Sequence, residues 1–199
     1  MIIEKYSARM VKSPTFFREM VEVGKLKFQG IEGSELRKIL IDDNILKITP
    51  PRRNKEITSA VLVRVNALTN SELSLLVNGS LSDKKQIVMI SIMKTERIIR
   101  EFINEVYVDK LLFGHAELED VDFNTFFRLK AEEQEAVAKW KDVTVKKLKQ
   151  VFKKILKELE LISVEDKKMR VLAPMPTREL LEVIEGEEQS IRKVFEKGR

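Results

Sequence analysis

The chain has 199 residues, 43% hydrophobic and 35% charged, with 37 basic against 32 acidic side chains and a formal net charge of +5. That length holds one large or two small cores, and a pI near 9.3 admits an anionic partner without choosing between nucleic acid and a membrane surface. Cysteine is absent, which excludes disulfides and thiolate metal sites and fits a reducing compartment.

The stretch MIIEKYSARMVKS has no apolar signal core, and no run reaches the roughly 20 apolar residues of a membrane helix. The expectation is a cytoplasmic protein with no membrane partner. Tyr6 to Val23 reads as helical, opened by Ser13 as cap and Pro14 at the first position. Three glycines between positions 24 and 33 make a loop, and Ser34 caps a helix over Glu35 to Asp43. Pro50 and Pro51 end any preceding helix. Arg52, Arg53 and Lys55 follow, with Asn54 capping a helix to Leu68 that buries Ile57, Val61 and Val65 and turns Arg64 elsewhere. Helix, short break and basic helix start are compatible with a helix-turn-helix, though plain helix packing with a charged corner is the reading such a pattern favours.

Ser71 to Val77 is a short helix stopped by Asn78 and Gly79. A loose boundary there divides an N-terminal helical part, 1–79, from a C-terminal part, 80–199. Ser82 or Asp83 caps a helix over Lys84 to Met93. Thr95 to Leu112 is apolar on more than one side and reads as the central core helix. The only histidine, His115, sits in a loop, and one histidine without cysteine builds no multi-ligand metal site. Glu117 to Asp122 is an acidic loop that lacks the glycine and distant glutamate of a calcium-binding loop. Asn124 to Trp140 is again helical. Phosphate-cradling, dinucleotide and nucleophile-elbow motifs are all missing, so no catalytic residue, cofactor or metal is expected and the chain does not read as an enzyme.

Trp140 to Ile162 organises the rest. Val145, Leu148, Phe152, Ile155, Leu156 and Leu159 recur at the three- and four-residue steps of one helix face. Lys146, Lys149, Lys153 and Lys157 follow the same steps on another side, and Lys147 and Lys154 widen the arc. From Lys139 to Lys157 eight lysines stand against one acid, Asp142, a local net charge of +7. A solvated lysine face and an anion-binding face share this pattern. Two β-prone runs around a polar turn, Leu161 to Leu172, then read as a hairpin carrying Lys167, Lys168 and Arg170. Basic amphipathic helix followed by hairpin is the order of recognition helix and wing. Thr177 caps Arg178 to Ile184, and a charged helix over Glu187 to Lys197 ends the chain. The fold class expected is mainly α, with a helix-turn-helix-like N-terminal part and a C-terminal winged-helix-like part carrying one β-hairpin.

Several stretches together resemble the BrxA family of bacteriophage-exclusion (BREX) systems. They are Tyr6-Ser7-Ala8 with Phe16, the turn region from Ile39 to Arg53, and Arg100-Glu101-Phe102 with Glu105-Val106. Phe126, Trp140, Thr144, Lys147-Leu148, Leu156 and Leu161-Ile162 complete the set. The resemblance implies a small helical, cytoplasmic protein of a phage-defence cluster. The family is associated with DNA binding, has been compared with NusB-like RNA-binding proteins and has been labelled an inner-membrane protein, against which this sequence argues. The expected function is a non-enzymatic accessory protein that binds double-stranded DNA. RNA binding, or docking of other BREX proteins, are the alternatives. Lys146, Lys149, Lys153, Lys157, Lys167, Lys168 and Arg170 form the expected contact set, and Arg52, Arg53, Lys55 and Arg64 a second patch.

Overall fold

The computed structural model describes residues 4–12, 14–114 and 117–198, with side chains to residue 196. The expected Ser13 cap and the loop His115 lie outside them.

The N-terminal helices are α1 (Phe17–Phe28), α2 (Gly33–Ile41), α3 (Pro51–Asn66), α4 (Asn70–Asn78) and α5 (Leu81–Thr95), preceded by a 3-10 turn, Arg9–Lys12. Local chemistry sets several starts. Thr69 and Glu72 form a capping box at α4, each side chain taking the other residue's N–H, and Ser80 and Asp83 do the same at α5. The cap of α5 is therefore Ser80 rather than Ser82 or Asp83. Helix α3 starts at Pro51, whose missing N–H costs nothing in a first turn. Asn54 is not its cap: it lies buried within the helix and donates its amide to the Leu40 carbonyl at 2.9 Å. Helix α1 starts at Phe17, beyond Pro14, because Phe16 turns the chain in the left-handed region (φ 51°).

Helix α5 packs against α1, α3 and α4 and is buried from Gln86 through Thr95. Glu96 breaks it from the next helix, which runs as α6 (Arg97–Phe102), a π turn (Ile103–Tyr107) and α7 (Val108–Leu112). Ile98, Ile99, Phe102, Ile103 and Tyr107 are buried there, so α5 and this helix share the central role expected of Thr95 to Leu112 alone. No single helix among the described residues is long and apolar enough to cross a membrane. Helices α3 and α4 pass that test only as a pair bent by 118°.

A strand, β1 (Glu117–Leu118), follows, then α8 (Asp120–Glu133), α9 (Glu135–Ala138), α10 (Asp142–Glu158), β2 (Ile162–Glu165) and β3 (Lys168–Val171). The expected hairpin is present. Asp166 and Lys167 form its two-residue loop, both at positive φ (49° and 65°), the conformation of a type I′ turn. β1 adds a third antiparallel strand in the order β1-β3-β2, with Glu117 opposite Arg170. Two residues of strand carry no periodicity, which is why this segment reads as an acidic loop. Thr177 caps α11 (Arg178–Ile184) as expected, its hydroxyl accepting the Leu180 N–H at 3.2 Å. The end of the chain is a short α12 (Gln189–Arg192) and a 3-10 turn (Lys193–Gly198) rather than one helix.

Two clusters hold these parts together. Phe102 of α6 stacks on Phe123 of α8 with centroids 4.8 Å apart, and Phe126 and Phe152 pack edge-on to Phe102 at 5.1 and 5.3 Å. This fixes α10 through Phe152, between Leu148 and Ile155, all buried. The second cluster is ionic. Lys94 of α5, only 4% exposed, donates to Glu72 at 2.7 Å and to Glu187, beyond α11, at 2.7 Å. It pins the end of the chain to the first half.

Candidate functional site

Helix α10 buries one stripe and leaves a lysine arc outside. Lys146, Lys147, Gln150, Lys154 and Lys157 are exposed, and Val143 is 57% exposed at the first turn. Among the described residues, Lys146, Lys147, Lys154 and Lys157 make no ion pair. Of the expected strip, Lys149 and Lys153 are committed elsewhere. Lys149 donates to the Asn124 side chain at 2.6 Å. Lys153 pairs with Asp120 and lies 5.2 Å from the centre of the Phe123 ring. Both sit on the side of α10 that leans on α8. The outward row is thus Lys146, Lys154 and Lys157, with Lys147 beside it.

The hairpin adds charge at one end. Lys167 is exposed at the turn, Lys168 lies 3.0 Å from Glu117 across the sheet, and Arg170 is 3.9 Å from Glu165. Both pairs are solvent-exposed and hold their cations only weakly.

Helix α3 brings a second group. Arg52 and Arg53 occupy its first turn, where no acidic residue stands, and Lys55 follows. Cations there oppose the helix dipole, which favours anions at an N-terminus, and Glu56 offsets part of this, 3.4 Å from both Arg52 and Arg53. Arg53 also donates to the Lys12 carbonyl at 3.0 Å. A cleft of about 680 Å³ runs between the Arg9–Lys12 turn, α3 and the start of α10. Lys12 and Arg53 line one wall and Lys147 the other, with Val63 and Val143 between them. The two basic patches are therefore neighbours across one cleft. Lys12 is the residue that sequence reading misses: it joins the patch through a contact 41 positions away and has no local periodicity.

Arg64 does not belong to the patch. It is 1% exposed, and its guanidinium donates to the carbonyls of Pro14 and, at 3.0 Å, Thr15, with the Phe16 ring 5.7 Å away. Burial lowers its pKa to about 10, opposed by the charge of Glu96 and reinforced by that of Arg9. Its work is to tie down the segment before α1. The helical wheel places it off the core stripe of α3, but a strap of chain covers it from outside. Among the described residues, no group of three or more acidic or histidine side chains converges to hold a metal ion.

The sequence matches a family model, BrxA, over residues 4–188. It is 40% identical over 153 residues to "BREX protein BrxA" of Bacillus cereus (strain H3081.97), covering 77% of this chain and 76% of that one. It is 20% identical over 188 residues to "BREX protein BrxA" of Escherichia coli O9:H4 (strain HS), covering 89% and 88%. The fold is similar to the crystal structure of an uncharacterized protein from Magnetospirillum magneticum, with a TM-score of 0.81 at 19% identity over 96% of this chain and 97% of the other.

Proposed function

The chain belongs to the BrxA family of BREX phage-defence systems, and from that premise we propose that it is a non-enzymatic, cytoplasmic accessory protein that binds double-stranded DNA. The observation that carries the reading is the outward lysine row of α10, exposed and without an ion pair among the described residues. Unpaired ammonium groups on a rigid helix need no partner exchange before they meet phosphate, and each contact gains affinity by releasing a condensed counterion.

The surroundings support the same reading. The order α8, α9, α10, β2, β3, with β1 added beside β3, is compatible with a winged helix, in which α10 would be the helix offered to a groove and the Asp166–Lys167 turn the wing tip. Arg52, Arg53, Lys55 and Lys12 extend the positive surface across the cleft. Lysines dominate and Gln150 is the one neutral polar side chain in the arc, so the face is suited to holding backbone rather than reading bases. The apolar residue beside the arc is Val143, not an aromatic, which favours a duplex over a single strand that would stack its bases.

Fluorescence anisotropy with a labelled mixed-sequence DNA duplex, the corresponding RNA duplex and heparin as competitor, over a range of salt, tests this. The DNA duplex is expected to bind with a steep salt dependence and little sequence preference. Tighter binding of RNA, or no binding of either duplex at low salt, refutes the reading.

A further inference from the structure

Helix α8 has two unlike flanks. One faces α10 and holds its lysines through Asp120 and Asn124. The other lines a groove of about 350 Å³ against the π turn and α7. Val121 and Leu129 stand along that flank, 57% and 41% exposed, over the buried ring of Phe126. Two half-exposed aliphatic side chains on one edge of a groove are an incomplete packing surface.

The rim is acidic. Glu105 and Asp109 stand on the far wall, Asp122 and Glu133 on α8, against Lys110 alone in the lining. Lys110 is taken by Asp122 at 2.8 Å. Lys130, just behind, already serves Glu105 at 2.7 Å, Glu133 at 3.1 Å and Glu101 at 3.3 Å. Of these three only Glu101 has a second cation, Arg97 at 2.7 Å, so Glu105 and Glu133 share one ammonium, and Asp109 has no ion pair among the described residues. The far wall is also the π turn, a rare distortion found frequently at functional sites. It keeps Ile103 and Tyr107 in the core while leaving Glu105 exposed.

We propose that this groove docks a cationic amphipathic segment of a partner protein, with aliphatic side chains against Val121, Leu129 and Phe126 and lysines or arginines against the acidic rim. Charge complementarity selects the occupant. Nucleic acid is repelled here, and the exposed basic arc of this chain's own α10 offers little aliphatic surface beyond Val143 to fill the groove. From Val121 to Leu129 the flank spans about 12 Å, roughly two helical turns, the span of anchors at i, i+4 and i+7. The inference does not rest on DNA binding, since the surface lies on the opposite flank of α8.

The probe is a fluorescein-labelled synthetic peptide of about twelve residues, with leucines at i, i+4 and i+7 and lysines elsewhere, a length that covers that flank as a helix. A scrambled peptide of the same composition and a glutamate-for-lysine version are the controls. The intact protein is expected to prefer the amphipathic peptide over both. D109K with E133K, and separately V121S with L129S, are each expected to weaken binding about tenfold or more, as lost rim attraction and lost apolar burial require. K147E with K154E, on the other flank, is expected to leave it no weaker. All the altered positions are exposed, and circular dichroism verifies that the variants fold. Equal binding of the scrambled peptide, or unchanged binding by either groove variant, overturns the proposal. If sedimentation finds self-association that V121S with L129S abolishes, the occupant is a second copy and the partner assignment is overturned.

Discussion

Because α10 carries two kinds of lysine, replacing each kind separately tests the interface. Lys146, Lys154 and Lys157 point outward without an ion pair among the described residues, whereas Lys149 and Lys153 are held by Asn124 and Asp120. In K146A/K154A/K157A, three phosphate contacts go. Each contributes about −0.9 to the log–log salt slope on duplex DNA, so the slope should flatten by about 2 to 3. Stability should hardly change, since none of the three touches the core. In K149A/K153A the expectation inverts. The slope should move by less than about 1, while stability falls by about 0.5–2 kcal/mol, the worth of two partly exposed polar contacts and a cation–aromatic contact. Anisotropy titrations at several salt concentrations give the slope, and urea denaturation gives the stability. If the inward pair flattens the slope as much as the outward triple, the lysines exchange partners freely and the division is wrong. If neither variant alters the slope, α10 is a solvated face and the DNA reading fails with it.

Three further outcomes follow from local features. Lys167 holds φ 65° in the hairpin turn, a conformation costing a non-glycine residue about 1 kcal/mol, so K167G should raise the melting temperature by about 2–4 °C, measured by thermal denaturation. R64A leaves two carbonyls without their charged donor and should lose about 3–5 kcal/mol of stability. R64K should rescue little, because one ammonium cannot reproduce the fork, and the salt slope of any folded fraction should stay unchanged. Glu187 has its pKa raised above the ordinary 4.5, first by burial and then by the charge of Glu72, with Lys94 opposing. The folded state therefore holds this proton more tightly than the unfolded chain, and the contribution to stability is lost as pH rises from about 4.5 through the raised value. Urea denaturation of the parent and of E187Q across that range should show a steeper decline in the parent, since Glu96, also raised by burial, contributes to both.

What the sequence made legible was local. The apolar steps of α10, the Thr177 cap and the hairpin's polar turn each lie within a few residues, so propensity and periodicity decide them. The lysine arc was legible for the same reason. Its division into outward and inward members was not, because Asp120 and Asn124 reach it from another helix. Arg64 failed more completely. Its burial depends on carbonyls 49 and 50 positions away, and nothing around it in α3 signals a covering strap. Lys12 and β1 belong to the same class, placed by tertiary contacts that no local pattern encodes.

The buried ammonium of Lys94 has a consequence for how the protein is made. Its two carboxylates arrive at very different times during synthesis: Glu72 has already emerged when Lys94 does, but Glu187 is still 93 residues away. At roughly 5–20 residues per second, the growing chain spends several seconds with Lys94 answered by Glu72 alone and the site open on one side. Helices α1 to α5 can assemble in that interval, but their ionic centre closes only once Glu187 has left the ribosome. Closure around Lys94 is thereby timed by the segment that follows α11, and a chain that stalls before Glu187 carries an unfinished centre that chaperones and proteases can recognise.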